Sequence, residues 1–335
     1  MMQTREETED SRIGRPIHRR GWLGRIVAAV SATQSPSLFA GPPGSKGLSP
    51  EETAAVEAVR GRARKVGLGP IEVRLTDHFV GIGDAPPRDY IDQALYRCEA
   101  FAKDYLDHFG KLGFKLTYPS ERMVVVALKD ANSYQAFSGE ERGAAVGGHY
   151  DLSTNQLVVF DFRGNQAQLA AGARRINNLT LIHEAAHLLC YNTGLLTTGR
   201  DIPDAISEGL ATYAEIWSPP RPRDRSPIGR VNSDRLAVFL KDDAQWIPVE
   251  RLIADDEVFR EERTVDVAYA ESWLLVHSLL KRPESVAKFR AYLAGFPALD
   301  ARIDRKEYAV SKLGSLGELD AELRRYGRRM VERRR

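Results

Sequence analysis

His183-Glu184-Ala185-Ala186-His187 constrains this chain more than any other five residues. Positions four apart lie one above the other on a single face of an α-helix, so both imidazoles can reach one metal ion. The glutamate directly after the first histidine is offset from that face. It stands beside the metal, where it can take a proton from a water that the metal holds. Leu179, Leu181, Ile182, Leu188 and Leu189 give the segment the apolar flanks of a buried helix. The spacing alone also fits an ordinary solvated helix face, because so short a pattern recurs by chance. A third ligand separates the two readings.

Residues 201–215 supply one. Pro203 and Asp204 are helix-start signals, with Ser207 as an alternative cap, and Ile206, Leu210 and Tyr213 follow helical apolar spacing. Between the two helices, Tyr191 to Arg200 holds Gly194 and Gly199 among polar residues and predicts a chain reversal. An antiparallel return brings Glu208 opposite the histidines, and two histidines plus a carboxylate with an open fourth position make a catalytic zinc set. Glu208 also reads as a first-turn glutamate favoured by the helix dipole, and Glu215 competes with it for the ligand role. Gly209 favours Glu208, because a glycine there would let the second helix close onto the metal helix.

His183-Glu-Ala-Ala-His187 followed by Ser207-Glu-Gly-Leu-Ala-Thr-Tyr-Ala-Glu215 resembles the gluzincin branch of the zincin metallopeptidases, the peptidase-MA-like group. Within that group the chain is similar to a bacterial family of unassigned function. Gly148 to Asp161, Ile228 to Asn232, Trp246 to Ile253 and Ala268 to His277 extend the resemblance over roughly residues 52 to 300. It implies a zincin-like α+β fold and one Zn2+ ion held by His183, His187 and Glu208. Glu184 is then the general base of a zinc metalloprotease acting on a peptide or protein substrate. Related gluzincins use a tyrosine or histidine to stabilise the oxyanion, which points to Tyr269, with His277 as the alternative donor. Such a donor contributes on the order of 3 kcal/mol; a tyrosine merely packed against the metal helix is the competing reading. Where some gluzincins carry an acidic supporting residue, four after the glutamate ligand, this chain has Thr212. Glu215 or Asp204 is therefore left to orient a histidine.

The remaining pattern predicts a small mixed sheet with an antiparallel edge hairpin, packed on the metal helix and followed by a mainly helical lobe. Ser49-Pro50-Glu51-Glu52 starts a helix running to about Lys65. Ile71 to Leu75 alternates as a strand, with Phe79 to Ile82 extending it. Arg88 to Phe109 is amphipathic, with Ile91, Leu95, Cys98, Phe101, Ala102 and Tyr105 on one face. Met123 to Leu128 reads as a buried strand, and Asp151 to Asn155 turns a hairpin that returns through Gln156 to Phe160. A peptide substrate would add a strand along Leu157 to Phe160. His149 lies near that edge.

Composition bears on where the chain works. A net charge of +2 over 335 residues gives no reason to expect a nucleic-acid partner, and no stretch is long and apolar enough for a transmembrane helix. Two cysteines, Cys98 and Cys190, make no disulfide framework; a bridge between them has no support in their spacing. Arg19-Arg20-Gly-Trp-Leu, then the short apolar run Ile26 to Val30, resembles a twin-arginine export signal, cleaved after Ala32 or Ala40. Export to the periplasm or outside is the expectation, with a cytoplasmic protein behind a basic leader as the alternative. Residues 1–48 are thus a leader and 49–335 one catalytic unit: a sheet-containing lobe (49–175), the metal-binding helices (176–217) and a helical lobe (218–335). Pro219 to Pro227 is a loop, since its prolines cannot hold a helix. The arginine-rich end from Arg324 complements a helix dipole or meets an anionic surface. A non-catalytic protein that keeps the scaffold for binding is the rival reading, though it has no need of Glu184. Oligomeric state is not written in the pattern.

Overall fold

The computed structural model describes residues 47–84, 89–139, 147–165, 170–219, 226–240, 245–296 and 304–333. The expected export signal and most of the Pro219–Pro227 loop lie outside them. The fold is α+β: one open five-stranded mixed sheet and, among the described residues, eleven α-helices. None of these helices is long and apolar enough to cross a membrane.

The amino-terminal lobe runs α1 (Pro50–Lys65), β1 (Glu72–Leu75), β2 (Phe79–Gly83), α2 (Asp89–Lys111), β3 (Met123–Leu128), α3 (Ala131–Ser138), β4 (Gly148–Asp151) and β5 (Gln156–Phe160). Ser49 and Glu52 close a reciprocal capping box on α1, as their spacing predicts. Strand order is β1-β2-β3-β5-β4, with β2, β3 and β5 parallel and the two outer strands antiparallel to their neighbours. Phe79 to Gly83 therefore does not extend the first strand; it turns back on it as a hairpin. The expected outer strand at Leu157 to Phe160 is also corrected. β5 is enclosed between β3 and β4, and the open edge belongs to Gly148–Asp151.

Alternation along β3 explains its continuous apolar sequence. Met123, Val125 and Ala127 face a core built with α2 and the metal helix, whereas Val124, Val126 and Leu128 face α1 and α3. With both faces covered, no position on the strand can be polar. Gly81 of β2 lets α2 close in: a Cβ there would meet Ile91 Cγ2 at 2.8 Å and Leu95 Cδ1 at 2.9 Å. The sequence reading passed over α3, an eight-residue helix capped by Asp130 through the Ser133 N–H.

The rest of the chain is helical: α4 (Ala170–Asn192), α5 (Asp204–Ala214), α6 (Ser233–Val238), α7 (Val249–Ala254), α8 (Val265–Leu279), α9 (Pro283–Gly295), α10 (Arg305–Leu313) and α11 (Leu316–Glu332). α4 packs on the sheet with α2, and α5 returns against it and is covered in turn by α8. Every residue of α5 from Ala205 to Ala214 is buried, which is why the helix lacks a polar stripe. One apolar core runs without a break from α2 through these helices to Leu323 of α11. Cys98 and Cys190 are both free and buried within it.

Candidate metal centre

Three side chains converge between α4 and α5. His183 Nε2 and His187 Nε2 are 3.2 Å apart, His183 Nε2 is 3.1 Å from Glu208 Oε2, and His187 Nε2 is 3.5 Å from Glu208 Oε1. Their ligand-type atoms all lie within 4.8 Å of one another, and each residue is 1% exposed. The helical i, i+4 spacing stacks the two rings, and the turn through Gly194 and Gly199, both at positive φ, brings Glu208 back over them.

The outer nitrogens are engaged. His183 Nδ1 is 3.1 Å from Glu215 Oε2, and His187 Nδ1 is 3.2 Å from Ser207 Oγ. With Nδ1–H donating outward, both Nε2 lone pairs point at one another and at a carboxylate. That arrangement is repulsive unless a cation lies between them. Glu208 Oε1 is buried with no hydrogen-bond partner. Burial opposes the charge on Glu208, yet the two adjacent histidines outweigh it and hold the carboxyl well below the usual range.

Charge points the same way. Among the described residues, Glu184, Glu208 and Glu215 are all buried, and Arg235 is the one buried arginine. The Arg235 guanidinium is committed to Glu215, so Glu208 keeps a buried oxygen free to face a cation. The residues therefore fit a divalent metal ion at His183, His187 and Glu208.

Glu215 is the hub of the outer support. Arg235 donates to it from Nε (2.9 Å) and Nη2 (3.0 Å), and Asn232 donates from Nδ2 (2.6 Å). Asn232 also caps α6 through the Asp234 and Arg235 N–H groups, so one residue fixes both the helix and the carboxylate. The two candidates to orient a histidine thus separate. Glu215 meets His183, while Asp204 faces Asp256 and Arg260. Ser207 meets His187 rather than capping α5, which starts at Asp204 behind Pro203. Thr212 donates to the Glu208 carbonyl at 2.6 Å, one turn back on its own helix.

Glu184, 4% exposed, lies beside the group, and its Oε2 accepts the Tyr150 N–H of edge strand β4 at 3.0 Å. Tyr191, one turn beyond His187, stacks on Tyr150 with ring centroids 5.8 Å apart. Burial raises its phenol pKa, while a hydrogen bond with Ser207 opposes the rise. Neither Tyr191 nor Ser207 was assigned to the site from sequence, although Tyr191 continues the i, i+4 ladder of the histidines.

Tyr269 lies with its ring centroid 6.5 Å from that of His183, under the Arg235 guanidinium at 5.1 Å. His277 is elsewhere on α8: its Nδ1 is 2.9 Å from Tyr326 Oη of α11. His149 pairs with Tyr134 Oη at 2.7 Å. Contrary to the sequence expectation, Gly209 does not serve a close approach to the metal helix. A Cβ there would meet Ser272 O at 2.7 Å and Val276 Cγ2 at 2.6 Å. The close approach is to α8, not to the metal helix.

A family model described as "Protein of unknown function (DUF1570)" matches residues 177–295. The matched stretch begins in α4 and ends with α9, so it contains His183, Glu184, His187, Glu208, Glu215, Arg235 and Tyr269. No curated protein matches the chain.

Proposed function

We propose that the chain is a zinc-dependent peptidase of the gluzincin type. The observation that carries the proposal is the His183–His187–Glu208 convergence with Glu184 beside it, its carboxylate held by an edge-strand amide. Three protein ligands suit catalysis, since a structural zinc takes four. A bound zinc ion supplies a Lewis acid that acidifies water and polarises a substrate carbonyl.

The chain's own residues do the rest. Glu184 accepts the proton of the attacking water and passes it to the leaving amine. The Tyr150 N–H fixes Oε2 and so aims the carboxylate. Glu215 keeps His183 in the tautomer that turns its Nε2 lone pair inward. Tyr269 is the proposed oxyanion donor, standing behind His183. An extended peptide would pair with β4 at Gly148–Asp151, whose outer edge leads to Glu184. Because the ligands are almost fully buried, substrate entry requires an opening on that side, where Tyr191 is half-buried.

Metal analysis of the purified protein combined with a peptide-library digest tests the reading. One zinc per chain is expected, together with cleavage that falls on the order of 10²–10⁴-fold in Glu184→Gln while zinc is retained. Zinc without cleavage under any condition would favour the binding-scaffold alternative, and absence of metal would sink both.

A further inference from the structure

At the carboxyl-terminal end of α8, two turns beyond Tyr269, lies a cavity of about 1030 Å³. It is walled by the end of α8, the start of α9, one face of α11 and the loop at Gly229–Val231. Six cationic side chains line it: Arg230, Lys281, Arg282, Arg325, Arg329 and Arg333. Glu322 is the single acid among the lining residues. In a chain whose net charge is only +2, so local an excess needs a reason.

Neutralisation by neighbours does not supply one. Some arginines elsewhere are matched to carboxylates, as Arg122 is to Glu52, Arg305 to Asp256 and Arg324 to Asp320. Among the described residues, Lys281, Arg282, Arg325, Arg329 and Arg333 have no carboxylate at ion-pair distance. Several of these charges converge on one point. Burial raises the Tyr326 phenol pKa, and Arg329, Arg333 and Arg282 are the charges that oppose the rise. Beneath the cations the floor is apolar, with Leu279, Leu319, Leu323 and Met330 beside the Tyr326–His277 pair.

We infer that this cavity binds an organic phosphate, with the phosphate groups among the α9 and α11 cations and an apolar portion on the Leu319–Leu323–Met330 floor. Guanidinium forks match phosphate oxygens in pairs. Lys281, Arg282, Arg325, Arg329 and Arg333 together also exceed what a single carboxylate would balance. None of these residues belongs to the metal group, so the inference stands apart from the proposed peptidase activity.

The full-length protein is titrated calorimetrically with inorganic tripolyphosphate, and its flotation is measured with phosphatidylglycerol and with phosphatidylcholine vesicles. Saturable one-to-one tripolyphosphate binding is expected, weakened at least tenfold in Arg282→Glu/Arg329→Glu. It should be unchanged in Arg263→Glu, at the opposite end of α8. If the charge-reversed protein does not fold, Arg282→Gln/Arg329→Gln replaces it, with a smaller but measurable loss. Flotation on phosphatidylglycerol alone, abolished by the same variants, assigns the phosphate to a lipid headgroup. Binding of tripolyphosphate alone assigns it to a soluble ligand. Absence of both, or binding indifferent to Arg282 and Arg329, overturns the inference.

Discussion

Glu215 holds His183, Arg235 and Asn232 at once, and a double-mutant cycle with Arg235 separates the ion pair from the support of His183. The carboxylate accepts from His183 Nδ1, from both ends of the Arg235 fork and from Asn232, all in a region 1% exposed. At the 2.9 Å Nε–Oε1 separation, the Coulomb attraction is about 6 kcal/mol for an effective dielectric of about 20. Most of that offsets desolvation, so the pair itself adds little net stability. Removing one partner is different, because the other charge stays buried and unpaired, at a cost of roughly 3–5 kcal/mol. Glu215→Gln and Arg235→Met should each lose about that much in urea unfolding of the chelator-treated protein.

Glu215→Gln/Arg235→Met removes both charges, so it should recover much of the single-variant loss. Zinc affinity should not recover with it. The double variant still lacks the acceptor that orients His183, and loss of such a support weakens metal binding roughly 10–100-fold. Competition with a chromophoric chelator measures this independently of stability. The reasoning fails if the double variant is no more stable than Glu215→Gln. It fails equally if Glu215→Gln binds zinc as tightly as the parent.

Two further expectations concern α5 and α8. Gly209→Ala forces a methyl to within 2.7 Å of the Ser272 carbonyl oxygen, so it should destabilise by about 1–3 kcal/mol. Gly110→Ala, with nothing within 4 Å, should be neutral or stabilising by up to about 1 kcal/mol in the same thermal melts. Glu271, buried with both oxygens near the Ile247 N–H, has its pKa pushed up by burial from 4.5 to about 9. Between those pH values the native state holds a proton that the unfolded chain has released, so stability falls by about 1.4 kcal/mol per pH unit. Glu271→Gln should therefore be the more stable protein at pH 8, with the gap shrinking toward pH 5. A gap constant with pH in urea titrations would count against the assignment. His108 and His277, each pushed down to about 4 by burial, act in the opposite sense below 6.5 but are common to both proteins.

The parts of the site legible in sequence are those set by local geometry. His183 and His187 share a helix face by spacing alone, and Glu208 follows from one turn and one returning helix. Glu215 could be named as a support but not chosen over Asp204, since the choice depends on which way α5 faces. Arg235 gave no signal: it is twenty residues from Glu215, and only the α6 cap at Asn232 brings it back. Strand order was hidden for a related reason. Gln156–Phe160 and Gly148–Asp151 are both short and flanked by turns, and nothing local says which of them β3 will pair with. Gly209 was identified as a close-approach residue, but its neighbour lies more than sixty positions along the chain, in α8.

The buried charges also connect the metal to the fold. Without a cation, Glu208 Oε1 is buried with no hydrogen-bond partner, while the Arg235 guanidinium is committed to Glu215. A buried acceptor left unsatisfied costs roughly 1–3 kcal/mol, and more when it is charged. A cation held between the two Nε2 atoms and Glu208 would remove that cost, so metal binding and the packing of α5 on α4 are coupled. Arg235 limits how far this goes: by matching Glu215, it leaves Glu208 as the carboxylate that faces both histidines.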